Sequence, residues 1–107
     1  MISDWPEKDY RIEIKKTFES IEKKYAVMDP DVLEVEQGLG TLVLQNKKGK
    51  IILSTQPSVR QLWLAAAHLG KAVHFDYDPQ KKQWWDDKKL GFEVNAFVEE
   101  SVKSLLG

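Results

Sequence analysis

Six carboxylates in the first third of the chain offer its only plausible metal chemistry: Glu19, Glu22, Asp29, Asp31, Glu34 and Glu36. Glu19 and Glu22 stand one helical turn apart, Glu34 and Glu36 fall on one side of a strand, and Asp29 and Asp31 flank Pro30. Oxygen donors suit hard cations such as ferric iron, calcium or manganese, but a solvated cluster without a cage holds them weakly. Other chemistry is scarce. The chain has no cysteine, which removes thiol catalysis, disulfides, zinc ribbons and cluster ligation by this protein itself. His68 and His74 are the only imidazoles, and their separation matches no usual ligand spacing. There is no G-x-S-x-G, Walker loop, dinucleotide glycine fingerprint, H-E-x-x-H or EF-hand loop, and the serines lack an evident base. An enzyme is not expected.

The 107 residues are 42% hydrophobic and 31% charged, which fits one folded domain over residues 1–107 rather than two cores or a disordered tail. A net charge of -1 hides an asymmetry: residues 1–38 hold ten acids and six bases, residues 39–107 seven acids and ten bases. No apolar run approaches the roughly 18 residues of a membrane span. Met1 to Pro6 lack a basic flank and apolar core, so the mature chain is expected to begin here, and the missing cysteines suit a reducing cytoplasm.

The elements that position these groups follow from periodicity. Tyr10, Ile14, Phe18, Ile21 and Tyr25 recur at spacings of four, four, three and four, so they form one stripe of a helix between Glu7 and Ala26, stopped before Pro30. From Asp31 the period becomes two. Leu33 and Val35 alternate with Glu34 and Glu36, Thr41 to Gln45 forms an apolar run, Asn46 to Gly49 reads as a hairpin turn, and Lys50 to Leu53 returns. Gln61 to Ala66, Val73 to Tyr77 and Lys82 to Asp86 supply three more strands, although the alanines at 65, 66 and 67 also favour helix. Val94, Phe97, Val98, Val102 and Leu105 then share a helical face. Strands and helices do not alternate, so the predicted architecture is α+β: a two-layer sandwich with an antiparallel sheet of about six strands and both helices on one face.

Two helices leave the other sheet face bare. Leu62 and Leu64 are the better core residues, which places Gln61, Trp63 and Ala65 on the open side, with Ile52 and one of Trp84 and Trp85 as neighbours. An uncovered tryptophan forgoes a few kcal/mol of burial, the profile of a partner-binding hot spot; a covering loop or reversed faces would remove it. Lys47, Lys48 and Lys50, Lys81 and Lys82, and Lys88 and Lys89 could meet near the tryptophans as a nucleic-acid platform, but a pI near 6.1 argues against one.

The run Ser54-Thr55-Gln56-Pro57-Ser58-Val59-Arg60-Gln61-Leu62-Trp63-Leu64-Ala65 resembles the frataxin pattern N-[KR]-Q-x-P-x-x-Q-[IV]-W-L-[AS], with Gln56, Gln61, Trp63 and Leu64 in register. His74-Phe75-Asp76-Tyr77, Trp84, Gly91, Gly38 and Thr17 to Ile21 are similar to flanking family segments in the same order. A resemblance to bacterial frataxins of the CyaY type implies the sandwich already reached. It further implies a non-enzymatic accessory of iron-sulfur cluster assembly that binds iron, Fe2+ or Fe3+, at an acidic ridge. The family docks on the cysteine desulfurase and its scaffold partner as iron donor or regulator. By the same resemblance Gln56, Gln61, Trp63 and Ser54 belong to the docking face, and the chain is expected to act as a monomer, away from membranes and nucleic acid. Some positions depart from the family. Ser54 replaces an asparagine, Pro57 lies one residue early, Lys23 and Lys24 stand where carboxylates are usual, and Lys15 and Lys16 reverse charges found in relatives. Lysines repel iron, so binding is expected to be weaker or confined to Glu19, Glu22, Asp29, Asp31, Glu34 and Glu36. The alternative is a protein- or nucleic-acid-binding module that keeps this fold with little iron binding.

Overall fold

The computed structural model describes residues 5–107; the expectation for the N-terminus falls, at residues 1–4, outside the described residues. The element order is α1 (Glu7–Tyr25), β1 (Glu34–Gly38), β2 (Thr41–Asn46), β3 (Gly49–Gln56), β4 (Gln61–Ala66), β5 (Lys71–Asp78), β6 (Gln83–Asp86) and α2 (Val94–Leu106). Short 3-10 turns join β3 to β4 and β4 to β5. All neighbouring strands pair antiparallel, giving a six-stranded sheet in sequence order.

α1 buries Tyr10, Ile14, Phe18, Ile21 and Tyr25, the five residues of the predicted stripe. It ends at Tyr25, five residues before Pro30, because the stripe has no further buried member and Asp29 organises the next turn. There the Asp29 carbonyl accepts the amides of Val32 and Leu33 at 2.8 and 3.0 Å. α2 is capped by Glu93, whose carboxylate accepts the Asn95 and Ala96 amides and so satisfies two orphan donors. Both helices pack on the sheet face that carries Leu42, Leu44, Ile51, Leu53, Leu62, Leu64, Ala66, Phe75 and Trp84, all at most 1% exposed. Ala66 is buried and strand-bound despite its helix propensity, since tertiary packing overrides that preference.

Two contacts tie the helix layer to the strands that matter below. The Tyr10 hydroxyl donates to the Gln61 carbonyl at 2.5 Å and accepts the Gln56 amide at 3.0 Å, so α1 holds the ends of β3 and β4 together. Trp84 packs among Trp5, Tyr10 and Tyr77, with its indole N–H donating to Thr17 Oγ1 at 3.0 Å. Trp84 is therefore core, and alternation turns Trp85 to the open face.

Candidate functional site

The open face is built by register. One cross-strand row runs Thr41, Ser54, Trp63, His74, and the next runs Gln56, Gln61, Asp76, Trp85. A third row, Glu36, Val43, Ile52, Ala65, Ala72, extends a largely apolar strip toward β1. No helix lies over these rows among the described residues, since both helices pack on the other side.

Trp63 is the centre of a connected network. Its ring stacks on His74 with centroids 4.0 Å apart and planes 8° from parallel. Its indole N–H donates to Gln61 Oε1 at 2.8 Å. Gln61 Nε2 in turn donates to Asp76 Oδ1 and to Asp87 Oδ2, both at 3.1 Å, and Asp87 Oδ2 lies 3.8 Å from His74 Nδ1. The last contact becomes an ion pair when the imidazole is protonated. With one ring face taken by His74 and its N–H already satisfied, Trp63 is held in one orientation while the residue stays partly exposed. A preordered aromatic loses little side-chain entropy when a partner covers it.

The structure brings Ser54, Gln61 and Trp63 together, with Gln56 beside Gln61 in the adjacent row. Ile52, expected beside Trp63, lies on the same open face one row away, opposite Ala65, and His74 fills the place directly next to the indole. His74, Asp76, Asp87 and Trp85 also belong to the face. His74 and Asp76 were readable as same-side residues from the alternation of β5, but their position opposite Trp63 and Gln61 depends on turn lengths that periodicity does not contain. His68 has a different place. It sits in the turn after β4 with Nε2 2.7 Å from Ser104 Oγ, so it pins α2 rather than joining the face.

The lysine groups do not converge into a platform. Lys47 and Lys48 occupy the β2–β3 turn at one end of the sheet, whereas Lys81 and Lys82 occupy the β5–β6 turn at the other. Lys81 Nζ lies 4.8 Å over the Trp85 ring, a cation–π contact that covers one exposed aromatic.

The six front carboxylates spread around the β1 edge instead of closing on a point. Glu19 and Glu22 ride on α1 in the helix layer, while register places Glu34 and Glu36 on the open face of β1. Glu19 lies 3.9 Å from the Lys15 ammonium, Glu34 accepts from Gln45 Nε2 at 3.3 Å, and Asp29 Oδ1 accepts the Asp31 amide at 2.9 Å. Among the described residues no three acidic or imidazole groups are clustered closely enough to hold a metal. Chemically this edge can attract hydrated cations by charge, but it supplies no ready coordination shell. No helix among the described residues is long and apolar enough to cross a membrane.

Comparison with known proteins agrees with this geometry. A family model for the frataxin-like domain matches residues 3–107. The iron-sulfur cluster assembly protein CyaY of Pseudomonas fluorescens strain Pf0-1 is 34% identical over 95 residues, covering 88% of this chain and 83% of that protein. The protein of the same name from Stutzerimonas stutzeri strain A1501 is 37% identical over 86 residues, covering 77% of this chain and 76% of that one. Among solved structures, a frataxin from Psychromonas ingrahamii superposes with a TM-score of 0.80 over 94% of this chain and 90% of that chain. At 23% identity that likeness shows the sandwich fold.

Proposed function

The chain belongs to the frataxin-like family, and from that premise we propose that it is a cytoplasmic accessory of iron-sulfur cluster assembly that works by docking, without turnover. The relatives that carry that name support the process; the uncovered sheet face around Trp63 supports the mode. The partner is the cysteine desulfurase with its scaffold protein, and the contact is the face made by Ser54, Gln56, Gln61 and Trp63, extended by His74 and Trp85. The observation that carries the reading is the ordering of Trp63 by His74 and Gln61 on a face that no helix among the described residues covers. Recovery on a tagged copy of this chain from its native cytoplasm is the test of the process. Capture of the desulfurase supports it, and capture of only unrelated proteins or nucleic acid contradicts it.

Iron is the cargo in this proposal, attracted by Glu19, Glu22, Asp29, Asp31, Glu34 and Glu36 as donor or regulator and held weakly. The spread of these groups and the Lys15 contact to Glu19 argue for a diffuse site. Titration with ferrous iron under anaerobic conditions, followed by amide NMR, is expected to broaden Asp29 to Glu36 first and without saturation at low iron. Broadening centred on His68 and His74, with Asp29 to Glu36 untouched, would place the metal elsewhere.

A further inference from the structure

Trp63, Gln61, Asp87 and His74 form a circuit on the open face with a single link left open. The Trp63 indole donates to Gln61, Gln61 Nε2 donates to Asp87 Oδ2, and the His74 ring stacks back on Trp63. Between His74 Nδ1 and Asp87 Oδ2 the separation is 3.8 Å, too long for a hydrogen bond. The two residues are nevertheless fixed side by side, because the Asp87 amide donates to the His74 carbonyl at 2.8 Å. Closing the last link therefore needs side-chain rotation alone.

A neutral imidazole carries one N–H and leaves its other ring nitrogen as a bare lone pair, whereas an imidazolium donates from both nitrogens. Once protonated, His74 presents an Nδ1–H to the Asp87 carboxylate across a gap that rotation closes. The same proton turns the stack on Trp63 from a contact between neutral rings into one between a cation and an indole face.

The charges around the ring favour this state. Asp76 lies two residues along β5 on the same side and shares Gln61 Nε2 with Asp87. β4 presents only Gln61, Trp63 and Ala65 on this side, none of them charged. Lys88 follows Asp87 in the turn held by Asp86, whose carboxylate accepts the amides of Leu90 at 2.7 Å and of Gly91 and Phe92 at 2.9 Å. Lys71 belongs to the helix side of the sheet, 5.9 Å over the Phe97 ring. The charged group in contact with the imidazole is thus a carboxylate, and a side chain 41% exposed takes its proton directly from water.

We propose that His74 is a proton-operated clamp on the open face: uptake of one proton closes the link to Asp87 and fastens the Trp63 indole for its partner. The link to a partner rests on the docking role proposed for this face, whereas the clamp belongs to the free chain.

The test is an NMR titration of the full chain from about pH 8 to about pH 5, the span over which histidines change charge, with the His74 ring followed by its own carbon-13 and nitrogen-15 signals. The Trp63 indole N–H and the Gln61 side-chain amide are expected to shift with the His74 midpoint. His74→Gln should remove that step from both signals. In Asp87→Asn the imidazole should still titrate while the Gln61 amide no longer follows it. Binding to the desulfurase complex is expected to be about threefold tighter at about pH 6 than at about pH 8, beyond any change found with His74→Gln. A His74 titration that leaves the indole and the Gln61 amide unmoved would overturn the proposal. So would a Gln61 response that persists in Asp87→Asn, a midpoint that follows His68, or equal pH dependence of docking in wild type and His74→Gln. Loss of docking at both pH values with the coupled titration intact would support the clamp and contradict the docking role.

Discussion

Trp63→Ala is expected to weaken binding to the cysteine desulfurase complex by about 2 kcal/mol or more, roughly thirtyfold, as measured by titration calorimetry. The argument is geometric. The indole is stacked on His74 at 4.0 Å and fixed by its N–H bond to Gln61, so a partner meets a rigid aromatic surface and covers it without ordering it first. Removing the ring deletes that contact area. It also frees Gln61 Oε1 and the His74 ring, which then lose the arrangement shared with Asp76 and Asp87. Trp63→Phe loses the N–H and one of the two fused rings but keeps an aromatic face, so its loss is expected to be smaller. Trp63 is partly buried and lies outside the core beneath the helices, so thermal unfolding of each variant separates lost affinity from lost stability. Unchanged affinity in Trp63→Ala would remove this residue from the interface.

The second large effect concerns stability. Asp86→Ala is expected to cost about 3 kcal/mol or more in urea unfolding, since it strips the acceptor from three amides at once at a residue only 6% exposed. Asp86→Asn keeps one acceptor oxygen without charge and is expected to fall between. The pH dependence gives a second readout. Desolvation pushes the Asp86 carboxyl up, but the amides of Leu90, Phe92 and Gly91 together outweigh it and hold the carboxyl below its ordinary value. A folded-state value below the unfolded one of about 3.9 means the stabilisation is complete above that pH and is lost as pH falls through the folded value. Wild-type stability should therefore drop more steeply below about pH 4 than that of Asp86→Ala. Parallel curves would show that the turn is held by other contacts.

Much of the scaffold was legible because burial imposes a period. The stripe Tyr10, Ile14, Phe18, Ile21 and Tyr25 is buried residue for residue, and Leu62 and Leu64 face the core while Trp63 faces out. Trp84 and Trp85 were not separable by alternation alone, which says only that they diverge; the ring cluster with Trp5, Tyr10 and Tyr77 decides which one is core. The site was half legible. Gln56, Gln61 and Trp63 were identified through the family pattern, whereas His74 and Asp87 join them only through strand register and the turn after β6. The carboxylate spacing was real but uninformative about convergence. A one-dimensional spacing cannot tell that Asp29 spends an oxygen on the Asp31 amide or that Glu19 faces Lys15. The end of β6 was hidden for a similar reason, since it follows from the amides gathered by Asp86 rather than from any break in the apolar pattern.

The central claim is that the open sheet face is the docking surface, and interface mapping tests it most directly. Nitrogen-15-labelled chain titrated with the unlabelled desulfurase–scaffold complex is expected to lose signal first at the Trp63 indole and at the amides of Ser54, Gln61, His74 and Trp85. The amides of α2 should stay sharp at the same partner ratio. Loss centred on the helix layer, or binding that leaves the Trp63 indole unperturbed, would contradict the claim.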